Sequence, residues 1–140
     1  MSVDSAAVIV EKYKQAVWEK DAEALIGLYA EDARVFDLWE RWAYGSRAEW
    51  GKAVGEWFNS LDDNRILVEF KDPVFTESAS LACFHAFVSY ASLDSQGKET
   101  RRMTNRISWV FELRGGSWVI LHEHTSAPAG FETMKISLTK

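Results

Sequence analysis

Hydrophobic positions recur at helical spacing through the first half of the chain and at strand spacing through the second. In DSAAVIVEKYKQAVWEKD, Ala6, Val10, Tyr13 and Val17 form one stripe, and Asp4 or Ser5 is placed to cap its start. DAEALIGLYAED predicts a short second helix capped by Asp21, with Leu25, Leu28 and Tyr29 inward. ARVFDLWE then turns to strand character. GSRAEWGKAVGEWFNSL predicts a third helix that begins at a Gly-Ser cap and buries Trp50, Val54, Trp57, Phe58 and Leu61; Gly51 and Gly55 weaken it.

The remainder reads as strands. RILVEFKDPVFTE turns Ile66, Val68 and Phe70 inward, and Pro73 interrupts its ladder at a bulge or bend. LACFHAFVSYASL is apolar on both faces, as expected of a strand covered on both sides; His85, on the parity of Leu81, Cys83 and Phe87, reads as a packed or interface histidine. KETRRMTNRISWVFEL and SWVILHEHTS are two further strands joined by RGG. The tail 128–140 is frayed or adds an edge strand. The pattern predicts one α+β domain over 1–140, with its core at about 4–127. In it a curved antiparallel or mixed sheet wraps around three N-terminal helices and encloses a cavity.

The last hairpin decides which side chains meet. LRGGS suits a three-residue loop, Arg114-Gly115-Gly116, with Gly116 at the left-handed position. That loop pairs Glu112 with Trp118, Val110 with Ile120, Ser108 with His122, and Arg106 with His124. One face then gathers Arg106, Ser108, His122 and His124 over a floor of Val110, Ile120 and Trp118, the make-up of a ligand pocket, while Glu123 points the other way. The opposite face carries Ile107, Trp109, Phe111, Val119 and Leu121; it is too apolar for water and predicts a homodimer contact. A two-residue turn at Gly115-Gly116 breaks this pairing.

Composition narrows the partners. Seven Trp, eight Phe and four Tyr are enough to build a core and still line a cavity. Net charge is −5 and Arg101–Arg102 is the only basic pair, which argues against nucleic acid. Cys83 is alone, so no internal disulfide forms and a cytoplasmic home is expected. The start, MSVDSAAVIVEKYK, lacks the apolar core of a signal peptide, and no stretch approaches the ~20 apolar residues of a membrane span. His122, His124 and Asp37 have the ligand types of a two-histidine, one-carboxylate metal site, but Arg106 opposite His124 repels a cation, so no metal is expected.

YAEDARVFD, GGSWVILHEHTSAP and the helix–helix–strand–helix–sheet order resemble the nuclear transport factor 2-like superfamily, and within it the SnoaL-like group of ketosteroid isomerase homologues. ACFHAFVSYASLDSQG and the spacing of Trp118, His122, His124 and Ser126-Ala127-Pro128 are also similar to the association domain of calcium/calmodulin-dependent protein kinase II. The resemblance covers nearly all of residues 5–128. It implies a cone-shaped, cystatin-like fold and chemistry without metal or cofactor. In ketosteroid isomerases the base lies in a strand of the form D-A-x-V-x-D. Here that stretch is Asp32-Ala33-Arg34-Val35-Phe36-Asp37, so Asp37 matches the catalytic aspartate, and counting back without a gap puts Tyr13 on the oxyanion-hole tyrosine. The family's protonated aspartate falls on Ser108, and the proline after the base is Leu38; both are departures.

These correspondences imply Asp37 as base, with Tyr13, Ser108 and Arg106 holding an enolate oxygen, or His122 as base oriented by Asp37. The candidate catalytic residues are therefore Asp37, Tyr13 and His122; the candidate substrate contacts are Arg106, Ser108, Trp118, Ile120 and His124. The expected function is cofactor-independent proton transfer, as an isomerase, lyase or cyclase, on a hydrophobic carbonyl- or hydroxyl-bearing metabolite. The alternative is a ligand-binding or oligomerisation module in which Asp37 only caps the third helix or pairs with Arg41 or Arg47.

Overall fold

The computed structural model describes residues 5–140. Helix α1 spans Val8–Glu19, α2 Ala22–Ile26 and α3 Arg47–Asn59; the strands are β1 Tyr29–Phe36, β2 Arg65–Glu77, β3 Leu81–Leu93, β4 Glu99–Arg114 and β5 Ser117–Ser126. They form one mixed sheet in the order β1-β5-β4-β3-β2. β1 runs parallel to β5, and every other pair is antiparallel. The expected α+β architecture of three helices against a curved sheet is the observed one.

The caps follow the sequence at two helices of three. Asp21 accepts from Ala24 N at 3.0 Å, and Ser46 accepts from Glu49 N at 3.2 Å. At α1, Ser5 Oγ accepts from Ala7 N instead of capping through the residue before Val8, and Asp4 lies outside the described residues. The buried stripe of α1 is Ile9, Tyr13, Ala16 and Val17; Val10 is half-buried. β2 turns Ile66 and Val68 into the core with Phe70 against them, and its register slips between Lys71 and Val74, the bulge that Pro73 signals. β3 is covered on one face only: Ala82, Phe84, Ala86 and Val88 are buried, while Leu81, Cys83 and His85 are exposed. The tail bridges Ala129 to Ile136, and the Leu138 carbonyl accepts from Thr104 N at 2.7 Å, so it docks against β4 beyond the end of β5.

The β4–β5 hairpin departs from the expectation in two steps. Arg114 faces Ser117, so the loop is the two residues Gly115-Gly116, both at positive φ (57° and 82°), which suits the right-handed twist of the flanking strands. Phe111 then faces Ile120 while Val110 faces His122, leaving Leu121 as one extra residue in a β-bulge. Before the bulge Trp118 and Ile120 point inward; after it Glu123 and Thr125 do. Ile107, Trp109 and Phe111 are core residues at 1%, 1% and 0% exposure, and Tyr13 on α1 meets Trp109 edge-on at 5.1 Å. A dimer contact through Ile107, Trp109 and Phe111 is therefore unavailable, and Leu121 is half-buried at the bulge.

Two glycines test this backbone. An alanine at Gly116 would meet no neighbour but would hold a left-handed φ, so Gly116→Ala should cost about 1–2 kcal/mol in urea unfolding. At Gly55, helical and open, Gly55→Ala should stabilise by roughly 0.5–1 kcal/mol.

Candidate functional site

A cavity of about 760 Å³ lies between the inner face of the sheet, α3 and the loop that follows β1. Trp39, Tyr44, Trp50, Trp57, Tyr13 and Tyr90 give it aromatic walls. Asp37, Glu123, Thr125, Asn105 and the tyrosine hydroxyls are among its polar groups, and Arg101, Glu40, Glu56, Ser60, Asn64, Ser92 and Thr100 also line it. Large aromatic walls with polar groups set among them suit a small-molecule site.

Glu123 is the buried acid, 2% exposed. Trp109 Nε1 donates to its Oε1 at 2.7 Å, and Tyr29 OH donates a short hydrogen bond to the same oxygen. Burial pushes its carboxyl up to about 7; the two donors pull it down less than burial raises it, and the nearby charge of Asp37 adds to the rise. Because Oε1 already accepts two donors, the proton of the neutral acid sits on Oε2. Asp37 stands half-buried just past the end of β1. Thr125 Oγ1 donates to Asp37 Oδ1 at 3.1 Å and itself accepts from Leu38 N at 2.8 Å. Burial raises the Asp37 carboxyl, and the bonds from Thr125 and the Trp39 and Leu38 amides oppose the rise. Asp37 neither caps α3, which Ser46 does, nor pairs with Arg41 or Arg47, which face Glu49 and Glu31.

Tyr13 OH and Tyr90 OH lie 3.0 Å apart in the same cavity. One hydroxyl of such a pair donates to the other, and the second keeps its hydrogen for an oxygen in the cavity. Burial holds both phenols above their ordinary range, so both remain protonated.

A SnoaL-like domain model matches residues 7–130. The chain belongs to the SnoaL-like domain family. No curated protein matches this SnoaL-like domain by sequence. Among solved structures it is similar to a nuclear transport factor 2-like protein of unknown function from Pseudomonas putida KT2440, with TM-score 0.85, 22% identity and 99% of each chain covered. It is also similar to a putative calcium/calmodulin-dependent protein kinase II association domain from Xanthomonas campestris (TM-score 0.74, 18% identity, 87% of this chain and 84% of that one). A nuclear transport factor 2-like protein with a cystatin-like fold from Novosphingobium aromaticivorans gives TM-score 0.74 at 16% identity, over 91% and 82% of the two chains. These likenesses establish the fold. No helix among the described residues is long and apolar enough to cross a membrane.

The SnoaL-like cavity takes only part of the residue set expected from the sequence. Tyr13 and Asp37 line it. Trp118 and Ile120 are buried in the core beneath the sheet rather than in the cavity wall. Arg106, Ser108, His122 and His124 lie on the outer face: Arg106 and Ser108 because β4 turns Ile107 and Trp109 inward, His122 and His124 because the bulge at Leu121 reverses the parity of β5. On that face His122 and His124 pack edge-on against Phe36 at 4.9 and 5.6 Å, His122 Nδ1 lies 2.6 Å from the Arg34 carbonyl oxygen, and Arg106 Nε donates to Ser126 Oγ at 3.0 Å. Asp37 and His124 both border a second, more open pocket of about 740 Å³ beside the loop that follows β1, which His122 does not line, and among the described residues no three His, Cys, Asp or Glu side chains are grouped to hold a metal ion. Glu123, Tyr90, Asn105 and Thr125 take the places expected for the histidines, arginine and serine. Asn105 carried a legible signal: it shares strand parity with Ile107, Trp109 and Phe111, a lone amide on an apolar face.

The raised acid makes stability depend on pH. The folded chain holds the Glu123 proton more tightly than the unfolded chain, so this contribution is complete below about pH 4.5 and is lost as pH rises through about 7. Glu123→Gln keeps an acceptor for Trp109 and Tyr29 but cannot ionise. Its stability relative to wild type should improve by up to about 3 kcal/mol between pH 5 and pH 8, read by urea unfolding at each pH. A difference that does not change with pH would place Glu123 among ordinary carboxylates.

Proposed function

We propose that this cavity is a cofactor-independent acid–base site, acting on a hydrophobic carbonyl- or hydroxyl-bearing metabolite by isomerisation, elimination or cyclisation. The observation that carries the proposal is two carboxyl groups differently placed in one aromatic cavity: half-buried Asp37, whose carboxyl burial raises against the bonds from Thr125 and the Trp39 and Leu38 amides, and Glu123, 2% exposed and pushed up by burial to about 7. Pairs of acids pushed apart by their surroundings divide base and acid roles at neutral pH. Asp37 takes the proton from the carbon next to a carbonyl. The electron pair moves onto the carbonyl oxygen, which the free hydroxyl hydrogen of the Tyr13–Tyr90 pair stabilises. Glu123 returns a proton to carbon or gives it to a departing hydroxyl. His122 has no part in this scheme, because it faces outward.

A binding module without turnover has its own support: Glu123, Tyr13, Tyr90 and Asp37 all make hydrogen bonds within the protein. Exchange separates the two functions. Wild-type protein in heavy water should speed deuterium uptake at the α-carbon of hydrophobic ketones such as cyclohexanone, acetophenone and tetralone, followed by proton NMR. Asp37→Asn should lose about 10²–10⁴-fold of that rate while its unfolding midpoint stays close to wild type. Glu123→Gln should flatten the pH–rate profile near 7. Ketones that bind without exchange, or full activity in Asp37→Asn, would move the protein to the binding class.

A further inference from the structure

Seven of the eight arginines sit against a carboxylate, a hydroxyl or an aromatic ring. Arg101 has no such partner among the described residues, and it lines the cavity. It belongs to the inward-facing series of β4, where exposure falls from Arg101 through Met103 to Asn105, which is 5% exposed. Arg101 is therefore at the mouth and Asn105 inside. Four residues of strand separate their Cα atoms by about 13 Å. Asn105 Oδ1 is buried, lines the cavity and has no donor among the described residues. A buried carbonyl oxygen without a donor is rare in folded proteins, and at a cavity wall a ligand group supplies one.

We infer that the cavity recognises an amphipathic monocarboxylic acid that also carries a hydroxyl group. The carboxylate pairs with the Arg101 guanidinium at the mouth, and the hydroxyl donates to Asn105 Oδ1 inside. This names a ligand class for the acid–base site proposed above and rests on the same cavity. A guanidinium left unpaired suits an anion that it grips with two parallel bonds. Glu40 and Glu56 line the same cavity and the chain carries −5, so a monoanion is favoured over a dianion such as a phosphate ester.

Trp39, Trp50 and Trp57 provide an intrinsic fluorescence signal for titrations of the full chain. 8-Hydroxyoctanoate should bind about tenfold tighter than 1,8-octanediol, and R101Q, a change at an exposed position, should abolish that preference. Octanoate, which lacks the hydroxyl, should bind wild type severalfold more weakly than 8-hydroxyoctanoate, and N105A should equalise the two. Equal binding of acid and diol, or a preference kept in R101Q, would overturn the role of Arg101. Equal binding of octanoate and hydroxyoctanoate to wild type would overturn that of Asn105 whether or not N105A folds. Tighter binding of octyl phosphate would overturn the monoanion. None of these readouts depends on turnover, so they stand apart from the exchange test of the acid–base chemistry.

Discussion

One extra residue in β5 governs what the cavity contains. Leu121 has no partner of its own in the ladder, and strand parity reverses across it. Upstream, the even positions Trp118 and Ile120 face the core; downstream, the odd positions Glu123 and Thr125 do. Had alternation continued through a two-residue turn, His122 and His124 would have stood beside Trp109 and Ile107, and the site would have held imidazoles. The bulge puts a carboxyl there instead and sends both histidines to the outer face, against Phe36.

Glu123 in turn depends on its neighbours. A carboxyl buried this deeply without donors would be strongly unfavourable. The Trp109 indole from β4 and the Tyr29 hydroxyl from β1 meet on one of its oxygens, so the acid ties three strands together at the floor of the cavity. Trp109 is also the hub of the aromatic core, in ring contact with Tyr13, Phe70, Phe84 and Phe111. The side chain that holds the acid is thus itself held by α1, β2, β3 and β4. This rigidity keeps a polar group inside an apolar enclosure at a defined acidity, which acid–base work requires and which a binding role also tolerates.

The SnoaL-like fold does not by itself choose between those roles, since one architecture hosts many activities. This chain's cavity carries four carboxyls, two of them, Asp37 and Glu123, buried or half-buried, a hydroxyl pair, and, among the described residues, a buried amide oxygen without a donor and an arginine without an ion-pair partner. Each is placed by ordinary strand or helix periodicity once the register is known.

Periodicity, cap residues and turn chemistry were enough to derive three helices, five strands and the α+β class, because each of these is a local preference repeated along the chain. The inward placement of Tyr13 was legible for the same reason, on the buried stripe of α1, and Asp37 through its place in the strand motif. The faces of β5 were not legible. RGGS is compatible with a two- or a three-residue loop, and nothing in SWVILHEHTS marks Leu121 as the residue to be skipped. That choice is made by packing. The bulge lets Ile120 and then Glu123 and Thr125 fill the interior, where Trp109, Tyr29 and Asp37 supply hydrogen bonds that the histidines would have met differently. Register is a property of two strands and the core beneath them, so the tertiary structure alone decided that a carboxyl, and not an imidazole, lines the cavity beside Thr125 and its partner Asp37.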